Sequence, residues 1–232
     1  MKDGLAQAHE EGVMIDRDDL VAILRLQHLR LVKERKYHIK GGLDKAWLED
    51  ELKRLELQLS MPNPLPLKTS QVPALLVVTK AHLTIRQLLA GISGKKWHAG
   101  EVSSSVNLDS LELEKKIETG RGIYAIGDLR SGHELGGFSL SEAKETLSRE
   151  FRRGLTVEEA IAFLTHFPEF FSSGDVIKCL CSRHSDQEVE SAEPSVEIWI
   201  LGRSPTLRAI THSVRESYKR DIFPSCKDSL LW

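Results

Sequence analysis

A capped helix in the middle of the chain constrains the fold more than any other feature of the sequence. Thr156 and Glu159 form a T-x-x-E capping box, which satisfies backbone donors at a helix start, and Pro168 stops the helix that follows. The apolar residues of this segment recur at helical spacing: Val157, Ala160, Ile161, Phe163, Leu164 and Phe167. We expect Ile161, Leu164 and Phe167 to be buried, because they lie on the inward face of the helix.

Strand-like apolar runs flank the capped helix. They cover residues 123–126 before it and residues 176–181, 196–201 and 207–210 after it. Gly202 and Pro205 mark a turn between the last two runs. The pattern predicts a helix packed on a small sheet, which defines a fold element and leaves the chemistry open.

Two helices are predicted before residue 60. The first, over residues 16–36, begins with acidic residues and ends with basic residues, as the helix dipole favours. Its inward stripe is unusually broad: Leu20, Ile23, Leu24, Leu26, Gln27, Leu29, Leu31 and Val32. The second helix, over residues 44–59, carries a seam of leucines at steps of four, three and four: Leu48, Leu52, Leu55 and Leu59. We therefore predict a helical hairpin whose first helix contacts more than its hairpin partner.

Proline residues mark a boundary after the hairpin. Pro62, Pro64 and Pro66 remove backbone donors and restrict the residues before them, so residues 61–66 cannot form a regular helix. We predict three segments: a helical hairpin over residues 1–60, a proline-rich joint over residues 61–71 and an α+β domain over residues 72–232. The predicted fold class is α+β, with a hairpin followed by a small, largely antiparallel sheet that helices cover.

Composition excludes several classes of protein. The chain is 41% hydrophobic and 28% charged with a net charge of −2, which is typical of a soluble globular protein and gives no general reason to expect nucleic acid. No apolar run approaches the ~20 residues that cross a bilayer, so no membrane contact is predicted. Three cysteines are too few for a disulfide framework and favour a cytoplasmic location. No cofactor and no small-molecule substrate is identifiable from the sequence.

The best candidate for chemistry is the segment Cys179-x-Cys181-x-x-His184, with His166 as a further imidazole. Zinc prefers thiolates and imidazoles in a tetrahedron. A C-x-C pair on a strand lacks the turn of a zinc knuckle, so we expect buried thiols and no metal. Cys181 with His166 or His184 also supplies the residue types of a nucleophilic site, although no nucleophile elbow surrounds them.

Charge is distributed unevenly along the chain. Six basic residues stand between residues 25 and 40 against one acid, Glu34; they are Arg25, Arg30, Lys33, Arg35, Lys36 and Lys40. Five acids and no base stand between residues 186 and 197: Asp186, Glu188, Glu190, Glu193 and Glu197. We assign the basic set to binding of a protein partner or to self-association. Nucleic acid is disfavoured, because Tyr37 alone would offer a base-stacking ring there.

Residues from about Val72 onward resemble an uncharacterised bacterial domain family, found mainly in actinobacteria. The resemblance rests on residues 155–169 (LTVEEAIAFLTHFPE), on the pair Ser182-Arg183, and on the strand-like run with Trp199. It implies a fold and carries no established activity. The favoured function is a non-catalytic interaction protein, acting through its N-terminal helices with a partner or a second copy. The alternative is an enzyme or metal-binding domain that uses residues 179–184 with His166.

Overall fold

The computed structural model describes residues 13–34, 44–59, 65–67, 71–92, 96–104, 106–113, 122–184, 192–213 and 219–227. Its α-helices are α1 (Arg17–Leu29), α2 (Lys45–Gln58), α3 (Ile85–Gly91), α4 (Leu140–Arg149) and α5 (Val157–His166). Its strands are β1 (Val13–Ile15), β2 (Leu65–Leu67), β3 (Gln71–Val78), β4 (Glu101–Val102), β5 (Leu111–Leu113), β6 (Ile123–Arg130), β7 (Arg152–Gly154), β8 (Val176–Lys178), β9 (Ser182–His184), β10 (Ala192–Leu201), β11 (Ser204–Ser213), β12 (Asp221–Ile222) and β13 (Ser225–Lys227). The predicted α+β class is confirmed.

Two sheets carry most of the strands. One has the order β3-β6-β13-β7 with every neighbour antiparallel, and the other has the order β12-β8-β10-β11-β4. In the second sheet the outer pairs β12–β8 and β11–β4 are parallel, and the inner pairs are antiparallel. Two ribbons, β1–β2 and β5–β9, lie outside these sheets. The sheets are therefore small and largely antiparallel, as expected.

The central helix, α5, begins where the sequence predicts. The Thr156 side chain accepts from the Glu159 backbone N–H at 3.2 Å, and the Glu159 carboxylate accepts from the Thr156 backbone N–H at 2.8 Å. Ile161 and Leu164 are fully buried, as expected. Phe167 is only half-buried, because its backbone (φ −132°) has already left the helix. The helix packs on β3 and α3.

The N-terminal helices form the predicted pair but do not stand apart from the sheet. All four leucines of the α2 seam are buried, and the Arg25 guanidinium of α1 reaches the Glu56 carboxylate of α2 at 2.7 Å. The α1 helix also lies on β3, so Leu20 and Leu24 belong to the same core as Leu75. The sheet is thus the second surface that the broad apolar stripe of α1 contacts. Most of residues 61–71 lie outside the described chain, and the boundary there stays a prediction.

Gln27 explains how α1 fits against an open sheet edge. Strand β3 is the edge strand of its sheet, and the Gln27 side-chain amide donates to the Ala74 carbonyl (2.8 Å) and accepts from the Leu76 N–H (2.7 Å). The amide replaces the missing neighbouring strand over these residues. It is 4% exposed, so water does not compete for these two groups.

Replacing Gln27 with leucine should lower the free energy of unfolding by about 2 kcal/mol. The two buried backbone groups would lose their partners, and an unsatisfied buried donor or acceptor costs roughly 1–3 kcal/mol. Urea titration followed by circular dichroism measures the loss. Gln87→Leu on α3 serves as the control. It should lower the free energy of unfolding by less, because it removes only a partly exposed capping contact. A Gln27→Leu variant as stable as the wild type would contradict the edge-capping role.

Short strands were missed by the sequence patterns. Helix α4 ends at Arg149, and Arg152–Gly154 form the short strand β7. Phe151 lies between them with φ 55°, a left-handed conformation that no helix continues. The C-terminal segment, which shows weak patterning, supplies β12 and β13 to the two sheets.

Candidate functional site

The interpretation of residues 176–181 as one strand is wrong. Strand β8 ends at Lys178, and Cys179 and Cys181 lie in a turn that the Ser182 N–H closes onto the Cys179 carbonyl at 2.9 Å. Both thiols are buried. Burial, followed by the charge of Glu197, raises the pKa of the Cys179 thiol well above its usual value. A thiol held neutral is a poor nucleophile and a poor metal ligand.

The structure does not bring His166 and Cys181 together. The Cys181 N–H donates to the carbonyl of Leu155, two residues before the start of α5, whereas His166 is the last residue of that helix. Ten helical residues at about 1.5 Å per residue separate the two ends by roughly 14 Å. A general base must lie within hydrogen-bond reach of its nucleophile, about 3 Å. The side chain of His184 lies outside the described residues.

A metal site is not assembled by the part of the chain that the structure describes. Within that part, no group of three or more His, Cys, Asp or Glu side chains is placed to hold a metal ion. The third cysteine, Cys226, is buried in β13, and burial raises the pKa of its thiol. Its place beside Arg153 in the sheet register gives it a packing role.

Three of the six predicted partner-binding residues are described, and all three lie on or after α1. Arg25 makes a two-point contact with Glu56 at 2.7 and 2.8 Å. The Arg30 guanidinium donates to the His166 carbonyl and lies 3.8 Å from Glu34, which follows in a π-helical turn. Lys33 is exposed in that turn. Arg35, Lys36 and Lys40 lie outside the described residues.

Two leucines on α1 remain at the surface. Leu26 is 65% exposed and Leu29 is 44% exposed, although other leucines of the same helix are fully buried. A spacing of three residues places them on adjacent turns of one face, and Lys33 follows four residues later. We call Leu26, Leu29 and Lys33 the α1 patch. It is apolar with a basic end.

The five acidic residues between residues 186 and 197 do not form a continuous surface. Glu197 is fully buried in β10, the side chain of Glu193 is not described, and residues 186–190 lie outside the described chain. The acidic run is therefore not exposed at Glu197. The reason lies in its partner on the next strand, Lys178, to which the Glu197 carboxylate is bound.

Lys178 is the centre of a buried ionic cluster in the second sheet. Its ammonium binds Glu197 on β10 and lies 3.2 Å from Asp221 on β12. The Ser195 hydroxyl (2.7 Å) and the Trp199 indole N–H (2.6 Å) donate to the same Glu197 carboxylate. Side chains two residues apart on a strand share a face, and the register aligns these strands, so all five residues meet. The cluster joins three strands, and its ionic groups are satisfied within the protein.

A second buried ionic cluster holds β7 against α5. The Arg153 guanidinium binds the two Glu159 carboxylate oxygens, each at 2.7 Å, and the Tyr124 hydroxyl donates to Glu159 at 3.0 Å. Burial and the neighbouring Glu159 charge raise the pKa of the Tyr124 hydroxyl well above its usual value, so it stays a donor. Arg152 points to a different partner, Asp128, at 3.1 Å, and donates to the Ser225 hydroxyl at 3.0 Å. Adjacent arginines are thus fixed by different neighbours.

A cleft of about 310 Å³ opens between α4, β7 and the turn that holds Cys181. Its lining residues are Lys144, Leu147, Ser148, Arg152, Arg153, Gly154, Leu180 and Cys181. Phe151, which connects α4 to β7, is 84% exposed. We call this space the α4–β7 cleft. The one sequence signal for it is the Arg-Arg-Gly run before the capping box, which shows no strand-like alternation.

The fold and these surfaces define a mixed α+β protein with two buried ionic clusters, a cleft beside α4 and a partly apolar helix face. The chain belongs to the family of unknown function DUF5701, whose profile matches residues 30–209. The resemblance predicted from Val72 onward therefore begins earlier, at the end of α1. The bacterial origin of the chain stays a prediction. No curated protein and no solved structure matches the chain significantly. None of the helices in the described residues is long and apolar enough to span a membrane.

Proposed function

We propose that the protein is a non-catalytic interaction module that binds an acidic protein partner through the α1 patch. The observation that carries this proposal is the exposure of Leu26 and Leu29 on a helix whose other leucines enter the core. Apolar side chains that share an exposed face mark interaction sites more often than isolated ones do. Lys33 and the basic residues that follow it in sequence supply the charge that selects an acidic partner.

The size of the patch fits a transient complex. Fully burying a leucine side chain contributes roughly 2 kcal/mol, so the exposed parts of Leu26 and Leu29 offer about 2 kcal/mol together. Association costs at least about 4 kcal/mol in lost translational and rotational freedom. The two leucines alone do not hold a complex, and the basic end must add attraction. Binding should therefore weaken as salt rises, since salt screens exposed charges.

Charge favours a different protein over a second copy. A symmetric contact that packs two α1 helices in parallel would place Lys33 against Lys33 of the other chain, with the basic residues up to Lys40 following in both sequences. Like charges across an interface are unfavourable. A partner surface with both apolar and acidic side chains would complement the leucines and the basic end of the α1 patch. We place this interaction in the cytoplasm, in keeping with the three thiols, none of which is in a disulfide.

Site-specific photo-crosslinking tests the proposal. A photoreactive residue at position 26 should capture one partner in cells that naturally make the protein. The same residue at position 57 should not, although Leu57 of α2 is a leucine that is 84% exposed. The captured protein is then purified and its affinity measured by calorimetry at about 50 and about 300 mM salt.

The double variant Leu26→Ser and Leu29→Ser should bind the purified partner roughly thirty-fold more weakly, which corresponds to about 2 kcal/mol. Leu57→Ser should bind as the wild type does. Both variants should keep the wild-type stability, because exposed positions change it by no more than about 0.5 kcal/mol. Equal capture at positions 26 and 57, or an affinity indifferent to the double substitution, would overturn the proposal. Capture of the chain itself would replace the partner with self-association.

A further inference from the structure

We propose that the interface between α1 and α2 is a pH-sensitive switch, which is closed around the neutral imidazole of His28 and opens when that ring is protonated. The switch is built from the packing of His28 and from the charges around it. One consequence, loss of the α1 patch in acid, rests on the proposed function. The switch itself does not, and it is tested without a partner.

The His28 ring is enclosed between the two helices. It lies on α1 and is 6% exposed, although the next residue, Leu29, is 44% exposed. Its Nε2 atom is buried and has no hydrogen-bond partner among the described residues. Most buried polar side-chain atoms in proteins have a partner, because leaving one without a partner is costly. An apolar side chain of similar size would avoid this cost, so the imidazole itself needs an explanation.

Protonation would make the ring less favourable in this position. It adds a positive charge where water hardly reaches, and it turns Nε2 into an N–H donor that has no acceptor. The neutral ring only leaves one nitrogen unpaired, at a smaller cost. The closed interface therefore prefers the neutral imidazole.

The charged groups that act on His28 stand on α2, and both of the acids have a cation of their own. Glu49 lies 3.6 Å from Lys45, and Glu56 lies 2.7 Å from Arg25 of α1. Burial lowers the pKa of His28 from its ordinary value, and the attraction of Glu49 and Glu56 offsets only part of this effect. Lys45 adds to the lowering, since it repels a protonated ring.

The other elements that pack on α1 bring no unpaired acid to His28. Strand β3, residues 71–78, contains no ionisable side chain. In the π-helical turn that follows α1, Glu34 lies 3.8 Å from Arg30, and Lys33 is exposed. Within the described residues, these elements therefore offer no carboxylate that would hold a protonated His28 in place.

The pH range of the switch follows from the direction of the pKa shift. In the opened chain the imidazole titrates near its ordinary pKa, about 6.5. Because the pKa of His28 is lower in the closed state, the opened state binds the proton more readily as the pH falls below about 6.5. The closed interface therefore keeps its full stability above that pH and loses stability as the pH falls toward the folded pKa.

Opening at His28 affects the neighbouring residues of α1. Gln27, which caps the edge of β3, directly precedes His28, and Leu26 and Leu29 of the α1 patch lie within two residues of it. Departure of His28 from α2 therefore disturbs the helical turn that carries both the cap and the patch. An opened α1 would no longer present its two leucines on one ordered face.

Titration of the His28 ring by NMR in the full-length protein tests the first step. The pKa of His28 should lie below about 6.5, and the spectrum of His28→Leu assigns its signal. A measured pKa at or above about 6.5 would overturn the proposal, because protonation would then not oppose the closed interface.

Hydrogen exchange of the same protein tests the second step. Rates are compared at about pH 7.5 and about pH 5.5, after correction for the direct effect of pH on amide exchange. Protection of the α1 amides should fall at least about threefold at the lower pH, and protection of the β6 amides should change less. Unchanged protection of α1 would show that no switch is present. An equal loss in α1 and β6 would show general acid unfolding instead, and would also overturn the proposal.

Substitutions then assign the pH response to one ring. His28→Leu should abolish the response of α1, since leucine fills the interface without a titratable nitrogen. His28→Phe, which keeps a flat ring, serves the same purpose if the leucine variant does not fold. His98→Leu is the control, because His98 is exposed, and it should respond as the wild type does. A response that persists without His28, or that His98→Leu also abolishes, would assign it to another group and overturn the proposal.

Discussion

Replacing Lys178 with methionine should lower the free energy of unfolding by about 3–5 kcal/mol, one of the largest effects we expect from a single substitution. The ammonium lies between Glu197 and Asp221, and all three side chains are at most 5% exposed. Methionine fills nearly the same volume but leaves two buried carboxylates facing each other without a cation. Removing one partner of a buried ionic group is costly because the remaining charge is neither solvated nor paired.

Urea titration, monitored by tryptophan fluorescence, measures this loss. Lys53→Met is the matched control, because Lys53 is 70% exposed and pairs only with the exposed Asp50. Its effect should stay within about 0.5 kcal/mol. A triple variant that adds Glu197→Gln and Asp221→Asn should recover part of the loss, since the buried charges are then gone. A Lys178→Met variant that loses less than about 1 kcal/mol would show that water reaches the two carboxylates.

The buried ionic cluster marks a limit of reading this sequence by pattern. Strand β10 alternates Val196, Ile198 and Ile200 with polar residues, a pattern that usually sets an apolar face against the core and a polar face towards water. Here the second face is also covered. Leu140 and Leu180, which belong to a separate apolar cluster around α4, lie beside Lys178 and Ser195 and account for part of that cover. Burial on both faces depends on where α4 packs, which no local pattern contains.

The sequence patterns predicted correctly those features whose interacting residues lie close together in the sequence. The predicted capping box at Thr156 is present in the structure, because the residues that satisfy each other lie three positions apart, and the same spacing forms the boxes at Thr84 and Ser139. The leucine seam of α2 and the hydrophobic run of β3 are buried for the same reason of regular spacing. Each of these features is decided within about one or two turns of chain.

Long-range pairing explains the failures. Strand β13 lies between β6 and β7, whose residues are far from it in sequence, and its three residues show no alternation long enough to recognise. The α4–β7 cleft and the Arg153–Glu159 contact depend on that sheet order. The positions of His166 and Cys181 at opposite ends of α5 were hidden for the same reason, since residue types alone do not reveal which end of the helix each one meets.

Replacing Leu164 with alanine should cost about 2–5 kcal/mol, the range for truncating a large apolar side chain in a packed core. Leu164 is fully buried in the main core, on the helix that packs on both β3 and α3. Neighbouring Phe163 lies in an aromatic group with Phe171, whose ring centroid is 5.0 Å away. This packing around α5 limits collapse into the space left by the leucine side chain, so the loss should fall in the upper half of the range.

Denaturant titration of Leu164→Ala beside Leu57→Ala separates burial from residue type, because Leu57 is the same residue at 84% exposure. The Leu57 variant should stay within about 0.5 kcal/mol of the wild type. If Leu164→Ala lost as little stability, Leu164 would not hold α5 against β3 and α3. A large loss in Leu164→Ala, with one unfolding transition that coincides by circular dichroism and by fluorescence, would instead mean that α1, α5 and the sheet unfold as one unit. That result would also decide against an independently folding hairpin over residues 1–60, since α1 shares its core with the strand that α5 covers.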